Sequence, residues 1–302
     1  EGDPSLKDRL RSLPLYPTKN EPCSLKDARR PTGFKDRLGV VETINPDALP
    51  KGGKELLELL DVKKLDFETY CTKSLPDAFR DDKVKPGQQR DLIKELAINL
   101  KRIAESTPVL EALKELPIIE CGGDEPQFLE AGRVYFNSKD VKGVLGSQAV
   151  FAVKNSGTHE LLSLLGVSDK PRLPDVVEAI SALCLKAVDK ETKSQVSNTI
   201  EFLATEWPMA KGDDPEDDLE ARISTFTRPM EPLRALAWLP GANRTVWHLP
   251  EDLAARVDQN LFEDQAVFLD ITKDKQANVR AKAFLEWLGL QIEPEPHQVV
   301  AQ

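Results

Sequence analysis

The chain has 302 residues, of which 40% are hydrophobic and 30% are charged, a balance that is ordinary for a soluble globular protein. Its formal net charge is −10, so its overall field does not draw it to the phosphates of nucleic acid. No apolar run approaches the length of a membrane span, and no signal peptide opens the chain. The chain begins at Glu1 rather than Met, so we expect part of a longer protein or a processed product.

Four cysteines are spread along the chain, and no two lie at the spacing of a zinc or redox motif. Their number in a chain of this length indicates reduced thiols rather than a disulfide framework, which predicts a cytoplasmic protein. The adjacent Arg29 and Arg30 leave a local basic patch open as an interpretation. A solvated loop is the favoured interpretation of that pair.

The first third of the chain opens with the apolar stretch LRSLPLYP at residues 10–17. A second apolar stretch, LLELLDV, follows at residues 56–62 and is predicted to be a short helical turn. Asp61 closes it, at a position where Asp tolerates a left-handed backbone better than most residues. Further on, an apolar residue recurs at helical spacing, and this predicted stripe comprises Leu92, Leu96, Leu100 and Ile103.

The middle of the chain has the clearest order of elements. LPIIE and QFLEA flank the turn residues CGGDEP, which predicts a β-hairpin. RVYF then predicts an extended segment, SKDVKGVL a short helix with Ser138 as its N-cap, and QAVFAV a further strand. HELLSLLGV predicts a helix that ends at a left-handed Gly166. Two amphipathic helices are predicted next, over residues 174–187 and 190–207, the second stopping before Pro208.

The last third repeats these patterns. Residues 245–257, TVWHLPEDLAARV, align without a gap with residues 133–145, RVYFNSKDVKGVL, and this alignment places Tyr135 on Trp247. Pro250 suits the first turn of a helix. The tetrapeptide QAVF occurs in both thirds of the chain, at residues 148–151 and 265–268.

Three landmarks recur in the same order at nearly constant spacing, which indicates three divergent tandem repeats. In the first landmark, Leu13, Leu116 and Leu236 align. The last landmark is an apolar helical turn, which we name the LL segment: residues 56–62, 161–167 and 284–290. We expect Leu164, Leu165, Trp287 and Leu288 to be core residues of these segments. Each copy is predicted to hold a small β-hairpin or sheet half followed by a helical half, so the fold class is α+β. The predicted copies are residues 1–107, 108–211 and 223–302, with an exposed acidic linker at 212–222.

No catalytic, cofactor-binding or metal-binding residue is predicted, because no Walker A, GxGxxG or GxSxG sequence occurs. GGDE at residues 122–125 matches the signature of diguanylate cyclases. Pro126 follows it directly and the companion acidic elements are missing, so we interpret it as hairpin-turn composition. The histidines form no metal-binding pair, and packing or loop positions are favoured for His159, His248 and His297. The four tryptophans mostly lie within apolar patterns, which favours core positions over a base-stacking platform: Trp207, Trp238, Trp247 and Trp287.

The succession of L-x-x-LP-I, a hairpin, VYF-x-S-x-D-V-x-x-VLG and LLxLLGV resembles a unit of very large sacsin-like and NO VEIN-like proteins. In those proteins a GHKL-type ATPase module precedes long α+β regions that carry such repeats. The resemblance covers most of the chain through short structural motifs. The ATP-binding motifs of that ATPase module have no counterpart in this chain, so the resemblance implies no ATPase role for it. The residues that carry the resemblance are Leu116, Pro117, Val134, Tyr135, Phe136, Val141, Leu145, Gly146, Leu161, Leu162, Leu164, Leu165, Gly166 and Val167.

The resemblance implies a non-catalytic scaffold or interaction segment of a larger ATPase-linked protein, with a role in protein quality control or anti-phage defence. Its expected partners are other domains of the parent protein or a separate protein, without cofactor, metal or membrane. The alternative is a nucleic-acid-associated module of a bacterial defence system, against which the acidic balance weighs. An enzyme with an unrecognised site is the third hypothesis, against which the missing constellation of titratable residues weighs.

Overall fold

The computed structural model describes residues 4–18, 21–26, 28–32, 34, 36–85, 87–122, 127–154, 157–209, 218–242, 244–254, 267–270 and 279–291. The chain forms two compact units. Compact unit 1 comprises Glu1–Val134 and Val150–Val167, and compact unit 2 comprises Tyr135–Ala149 and Ser168–Gln302. The structure mixes helices with short strands, which confirms the predicted α+β class. The division into three copies stays a prediction at this level.

Helices account for most of the regular structure. A π-helical turn at Tyr70–Ser74 joins α3 to α4, and a 3₁₀ stretch at Arg228–Arg234 follows α12. The described helices, in chain order, are α1 Pro4–Ser12, α2 Gly53–Leu59, α3 Phe67–Thr69, α4 Leu75–Arg80, α5 Gln88–Ile98, α6 Leu100–Ala104, α7 Thr107–Lys114, α8 Lys139–Leu145, α9 His159–Leu165, α10 Leu173–Leu183, α11 Lys190–Glu206, α12 Leu219–Thr227 and α13 Val279–Leu288. None of the described helices combines the length and apolarity needed to cross a bilayer.

The described strands are short and form three two-stranded sheets. β1 and β2 pair antiparallel, as do β3 and β4, whereas β5 and β6 pair parallel. Their bounds are β1 Ile119–Cys121, β2 Gln127–Leu129, β3 Leu239–Pro240, β4 Trp247–His248, β5 Leu253–Ala254 and β6 Val267–Phe268. Single-residue bridges add pairing around them, including Tyr16 with Cys23 and Cys121 with Ala152.

The core of compact unit 1 has an apolar cluster near its start and an aromatic cluster further on. In the first, Tyr16, Leu57 and Leu60 are buried together with Leu10 packed against them. In the second, the rings of Phe34 and Tyr70 lie 4.7 Å apart between centroids. Helix α9 contacts α5, α6 and α7, which closes this side of the unit.

The core of compact unit 2 forms around α11. This helix contacts α8, α10 and α13. Its start carries a capping box, in which the Asp189 carboxylate accepts the Thr192 N–H and the Thr192 hydroxyl accepts the Asp189 N–H. At its other end the ring of Trp207 contacts Phe284 and Trp287, with centroids 5.8 and 6.1 Å apart. The aromatic residues thus join α11 to α13.

Several predicted elements are present in the structure. The hairpin is β1–β2, Ser138 Oγ accepts the Val141 N–H at 3.1 Å, and the helices predicted over 174–187 and 190–207 are α10 and α11. Part of the predicted linker at 212–222 is helical, because α12 begins at Leu219. Residues 210–217 lie outside the described part of the chain.

Candidate functional site

The three LL segments share one local backbone geometry. Each is a helical turn that ends in a left-handed residue with positive φ: 53° at Asp61, 107° at Gly166 and 105° at Gly289. In each, the N–H of the next residue bonds the carbonyl five residues back, as in a Schellman cap. These bonds are Val62 to Leu57, Val167 to Leu162 and Leu290 to Leu285, all at 3.0 Å.

A backbone hydrogen bond outside each LL segment also occurs three times. In each instance a backbone N–H bonds, at 2.8 Å, the carbonyl of the residue four positions after the aligned leucine of the first landmark. The donor lies in the extended segment that precedes the LL segment. The three bonds run from Asn45 to Pro17, from Val153 to Glu120 and from Asp270 to Pro240.

A residue just after each LL segment enters a further strand pairing: Lys64 lies two positions after its segment, and Ser168 and Gln291 lie directly after theirs. Arg30 bridges Lys64, Tyr135 bridges Ser168, and Ala254 bridges Gln291, all parallel. The bridge places Tyr135 in the position of Ala254, not in that of Trp247. The ungapped alignment of residues 133–145 with 245–257 is therefore wrong as a structural register. Trp247 instead lies in β4, the return strand of a hairpin, where β2 lies in the middle of the chain.

The alignment failed because a β-type residue suits several strand positions equally well. Propensity identifies a short extended segment but does not choose its partner strand. The QAVF match, in contrast, agrees with the structure in the part of it that is described. Phe151 accepts a bond from the Gly122 N–H and Phe268 accepts one from the Ala242 N–H, so these two residues occupy equivalent positions.

Tyr135 is held in a polar cluster beside its bridge. Its hydroxyl donates to the Asp175 carboxylate and accepts the Arg172 N–H at 3.1 Å. The Arg172 guanidinium lies over the ring, 4.4 Å from the centroid. Burial, followed by the hydrogen bond to Asp175, raises the pKa of the Tyr135 phenol. The phenol therefore stays protonated at neutral pH and fixes this strand to the start of α10.

A second polar cluster in compact unit 1 holds the loop after Phe34. One oxygen of Asp36 accepts the N–H groups of Leu38 and Gly39 at 3.0 Å and the Tyr70 hydroxyl at 2.8 Å. The other oxygen accepts the Val41 N–H at 2.8 Å. Because the carboxylate oxygens point at backbone donors, this cluster shapes the loop rather than offering a free base.

Compact unit 2 has a polar cleft of about 450 Å³ beside α8 and α11. Its lining includes Lys139, Asp140, Lys170, Glu201 and Glu206. Lys170 and Glu206 form an ion pair at 2.9 Å, and the hydrogen bond to Glu206 raises the pKa of the Lys170 ammonium. The cleft therefore offers a small polar ligand both ammonium and carboxylate groups. Sequence reasoning missed it, because its residues come from helices that are separate in the chain.

Three of the four cysteine thiols are not arranged for reactivity. All four cysteines are free thiols. Burial raises the pKa of Cys71 to about 12 and that of Cys121 and Cys184 to about 11. A thiol with such a pKa is almost entirely protonated at pH 7 and is a poor nucleophile.

The other residues considered from sequence lie apart from one another. His159 is exposed at the start of α9, His248 is half-buried in β4, and His297 lies outside the described residues. Of the GGDE stretch only Gly122 is described. Among the described residues no group of three His, Cys, Asp or Glu side chains is placed to hold a metal ion.

The suspected basic patch at Arg29 and Arg30 is tied into the protein. The Arg29 guanidinium donates to the carbonyls of Lys26 and Ala28. Arg30 forms an ion pair with Glu58 at 3.1 Å. Both cations therefore already have acceptors, which reduces what they offer to a phosphate.

The residues that carry the sequence resemblance mostly form core. Val134, Val141, Leu161 and Leu165 are at most 1% exposed, while Leu164 is half-buried. Comparison of the chain with protein-family models, with curated proteins and with solved structures gave no match.

Proposed function

We propose that the chain is a non-catalytic scaffold built from three divergent α+β repeats, which presents surfaces to protein partners or to neighbouring domains. The observation that carries this proposal is the recurrence of one backbone frame. A Schellman-capped LL segment and a 2.8 Å backbone hydrogen bond occur at equivalent places in all three predicted copies, and a parallel bridge follows the segment within two residues in each. Local sequence preference alone does not repeat such non-local bonds.

The repeated residues support a structural purpose. One position of the LL segment is apolar and buried in every predicted copy, at Leu60, Leu165 and Leu288, each at most 2% exposed. Repeat proteins act mainly by geometry, because stacked units space domains and expose extended surfaces. The resemblance to sacsin-like and NO VEIN-like repeats adds the proposal of a larger ATPase-linked parent with a chaperone-like or defence role. A cytoplasmic location is part of the same proposal.

The experiment that tests the proposal compares protein, nucleotide and nucleic acid as ligands of the purified chain. We expect a partner captured from source cells to reassemble with the chain from purified components as a stoichiometric complex on a sizing column. We expect calorimetric titration with Mg·ATP to give no saturable heat. Stoichiometric nucleotide binding, or turnover that a chelator abolishes, would replace the scaffold with an enzyme.

A mobility-shift titration with duplex and single-stranded DNA tests the nucleic-acid alternative. The titration is made at about 150 mM salt, where phosphate-driven affinity is already much reduced. We expect only weak binding, because the net charge is −10 and Arg30 is paired with Glu58. A tight shift that disappears in the Arg29→Ala, Arg30→Ala double variant would transfer the proposal to a nucleic-acid module.

A further inference from the structure

Five leucines near the start of the chain are exposed although they lie on or beside helices that pack against a core. Helices α1 and α2 both reach the first apolar cluster, through Leu10 and through Leu57. Outward-facing apolar side chains are common singly but not as a set on adjoining elements. We name these five the leucine set: Leu6 at 54% exposure, Leu13 at 43%, Leu15 at 64%, Leu56 at 39% and Leu59 at 74%.

The equivalent positions in the middle copy are covered. Aligning Leu13 with Leu116, and the LL segments with one another, gives each member of the leucine set a counterpart on or beside α7 and α9. Helix α9 contacts α5, α6 and α7, and α7 contacts α6 and the π-helical turn at Tyr70–Ser74. The counterparts are Val109, Leu116, Ile118 and Leu161, which are 0%, 6%, 1% and 1% exposed, and Leu164, which is half-buried.

The last copy shows the same coverage. Trp238 and Phe284, the counterparts of Leu15 and Leu56, are both fully buried, and Trp287, the counterpart of Leu59, is half-buried. Helix α11 contacts α13, and Trp207, just after α11, places its ring against both Phe284 and Trp287. The 3₁₀ stretch at Arg228–Arg234 is covered by α10 and α12.

In both later copies the covering elements are therefore amphipathic helices that come earlier in the chain. They present apolar stripes, of which Leu92 and Leu96 in α5 and Ile200 and Leu203 in α11 are examples, all at most 1% exposed. In the first copy the same receiving positions are exposed, and among the described residues no such helix covers them.

We infer that the leucine set is a docking surface for an amphipathic helical segment of the kind formed by α10 and α11, contributed by another repeat of this type. This inference rests on the proposed repeat organisation. The occupant is defined by chemistry: a helix with a Leu/Ile stripe at helical spacing and a large aromatic residue at its end. Such a residue would lie between Leu56 and Leu59, as Trp207 lies against Phe284 and Trp287.

The test uses the full chain and a labelled synthetic peptide of residues 173–208, which spans α10, α11 and Trp207. Fluorescence anisotropy should show saturable binding. The Leu56→Lys, Leu59→Lys double variant should weaken it by roughly tenfold or more, because two apolar contacts of the surface are lost. A Trp207→Ala peptide should bind more weakly to the unaltered chain.

The matched control is Ile98→Lys, since Ile98 is 76% exposed on α5 and lies outside the leucine set. It should leave the affinity unchanged. Circular dichroism melts establish that the variants fold, and Leu59→Lys alone serves if the double variant does not. A peptide that does not bind, or that binds the double variant and the unaltered chain equally, overturns the inference.

Sedimentation of the chain without peptide separates this occupant from a second copy of the chain. We expect a monomer across the concentration range used for binding. A dimer that the double variant abolishes would assign the leucine set to self-association and overturn the helical occupant. Hydrogen exchange on the same samples measures the amide protection of the three LL segments. Similar protection in all three, together with no peptide binding, would contradict the docking inference but not the repeat proposal.

Discussion

Replacing Leu165 with Ala tests directly whether the LL segments form core. Leu165 is 1% exposed in α9. The change removes three carbons, which at about 0.8 kcal/mol each is about 2.4 kcal/mol of lost transfer free energy. The cavity that remains adds to this, so we expect the free energy of unfolding to fall by about 2–5 kcal/mol.

Leu59→Ala is the matched control for Leu165→Ala. It removes the same three carbons from another LL segment, but the side chain is 74% exposed, so we expect a loss of about 0.5 kcal/mol or less. Urea titration followed by far-UV circular dichroism gives the overall loss. Since the chain has two compact units, hydrogen exchange by mass spectrometry is needed to assign the loss to the unit that contains residue 165. Equal losses for the two variants, or no loss for Leu165→Ala, would refute the placement of the LL segments.

Three further outcomes follow from the geometry. Gly166→Ala should lower stability by about 1–2 kcal/mol, because φ is 107° there, and an unchanged thermal melt would contradict the left-handed cap. Tyr70→Phe should cost about 1.5–3 kcal/mol through the lost hydrogen bond to the Asp36 carboxylate, measured by urea denaturation; a neutral effect would remove that bond from the account. At pH 8, iodoacetamide should modify half-buried Cys23 well before Cys71, whose pKa is raised to about 12 by burial, and mass spectrometry showing the reverse order would contradict this.

The same thiol gives a pH dependence with a defined sign. The pKa of Cys71 is about 12 in the folded chain, above the ordinary value near 8.5 of an unfolded thiol. Between these values the unfolded chain releases the proton and the folded chain keeps it. The contribution of Cys71 to stability is therefore fully present below about pH 8.5 and decreases as the pH rises above it.

Local signals were enough to predict the capped helices. The N-cap at Ser138, the stop before Pro208 and the left-handed glycine at Gly166 depend on residues within a few positions of one another. The chemistry that specifies them is the hydrogen bonding of helix ends and the conformational freedom of glycine. For the same reason the sequence predicted the α+β class and the hairpin around CGGDEP.

Strand register and side-chain burial depend on segments far apart in the chain, so tertiary structure decided them. The letters of RVYF and TVWH favour an alignment that the bridge from Tyr135 to Ser168 rules out, because strand partners are chosen by distant contacts. Leu164 and Trp287 were predicted to be core and are half-buried, while Leu165 and Leu288 are buried as predicted. The sequence determines which residues are apolar, and their periodicity predicts which of them share a helix face. Whether that face is buried depends on which helices pack over each LL segment. That is why Leu161 is buried while Leu56, with the same letter in the same motif, is not.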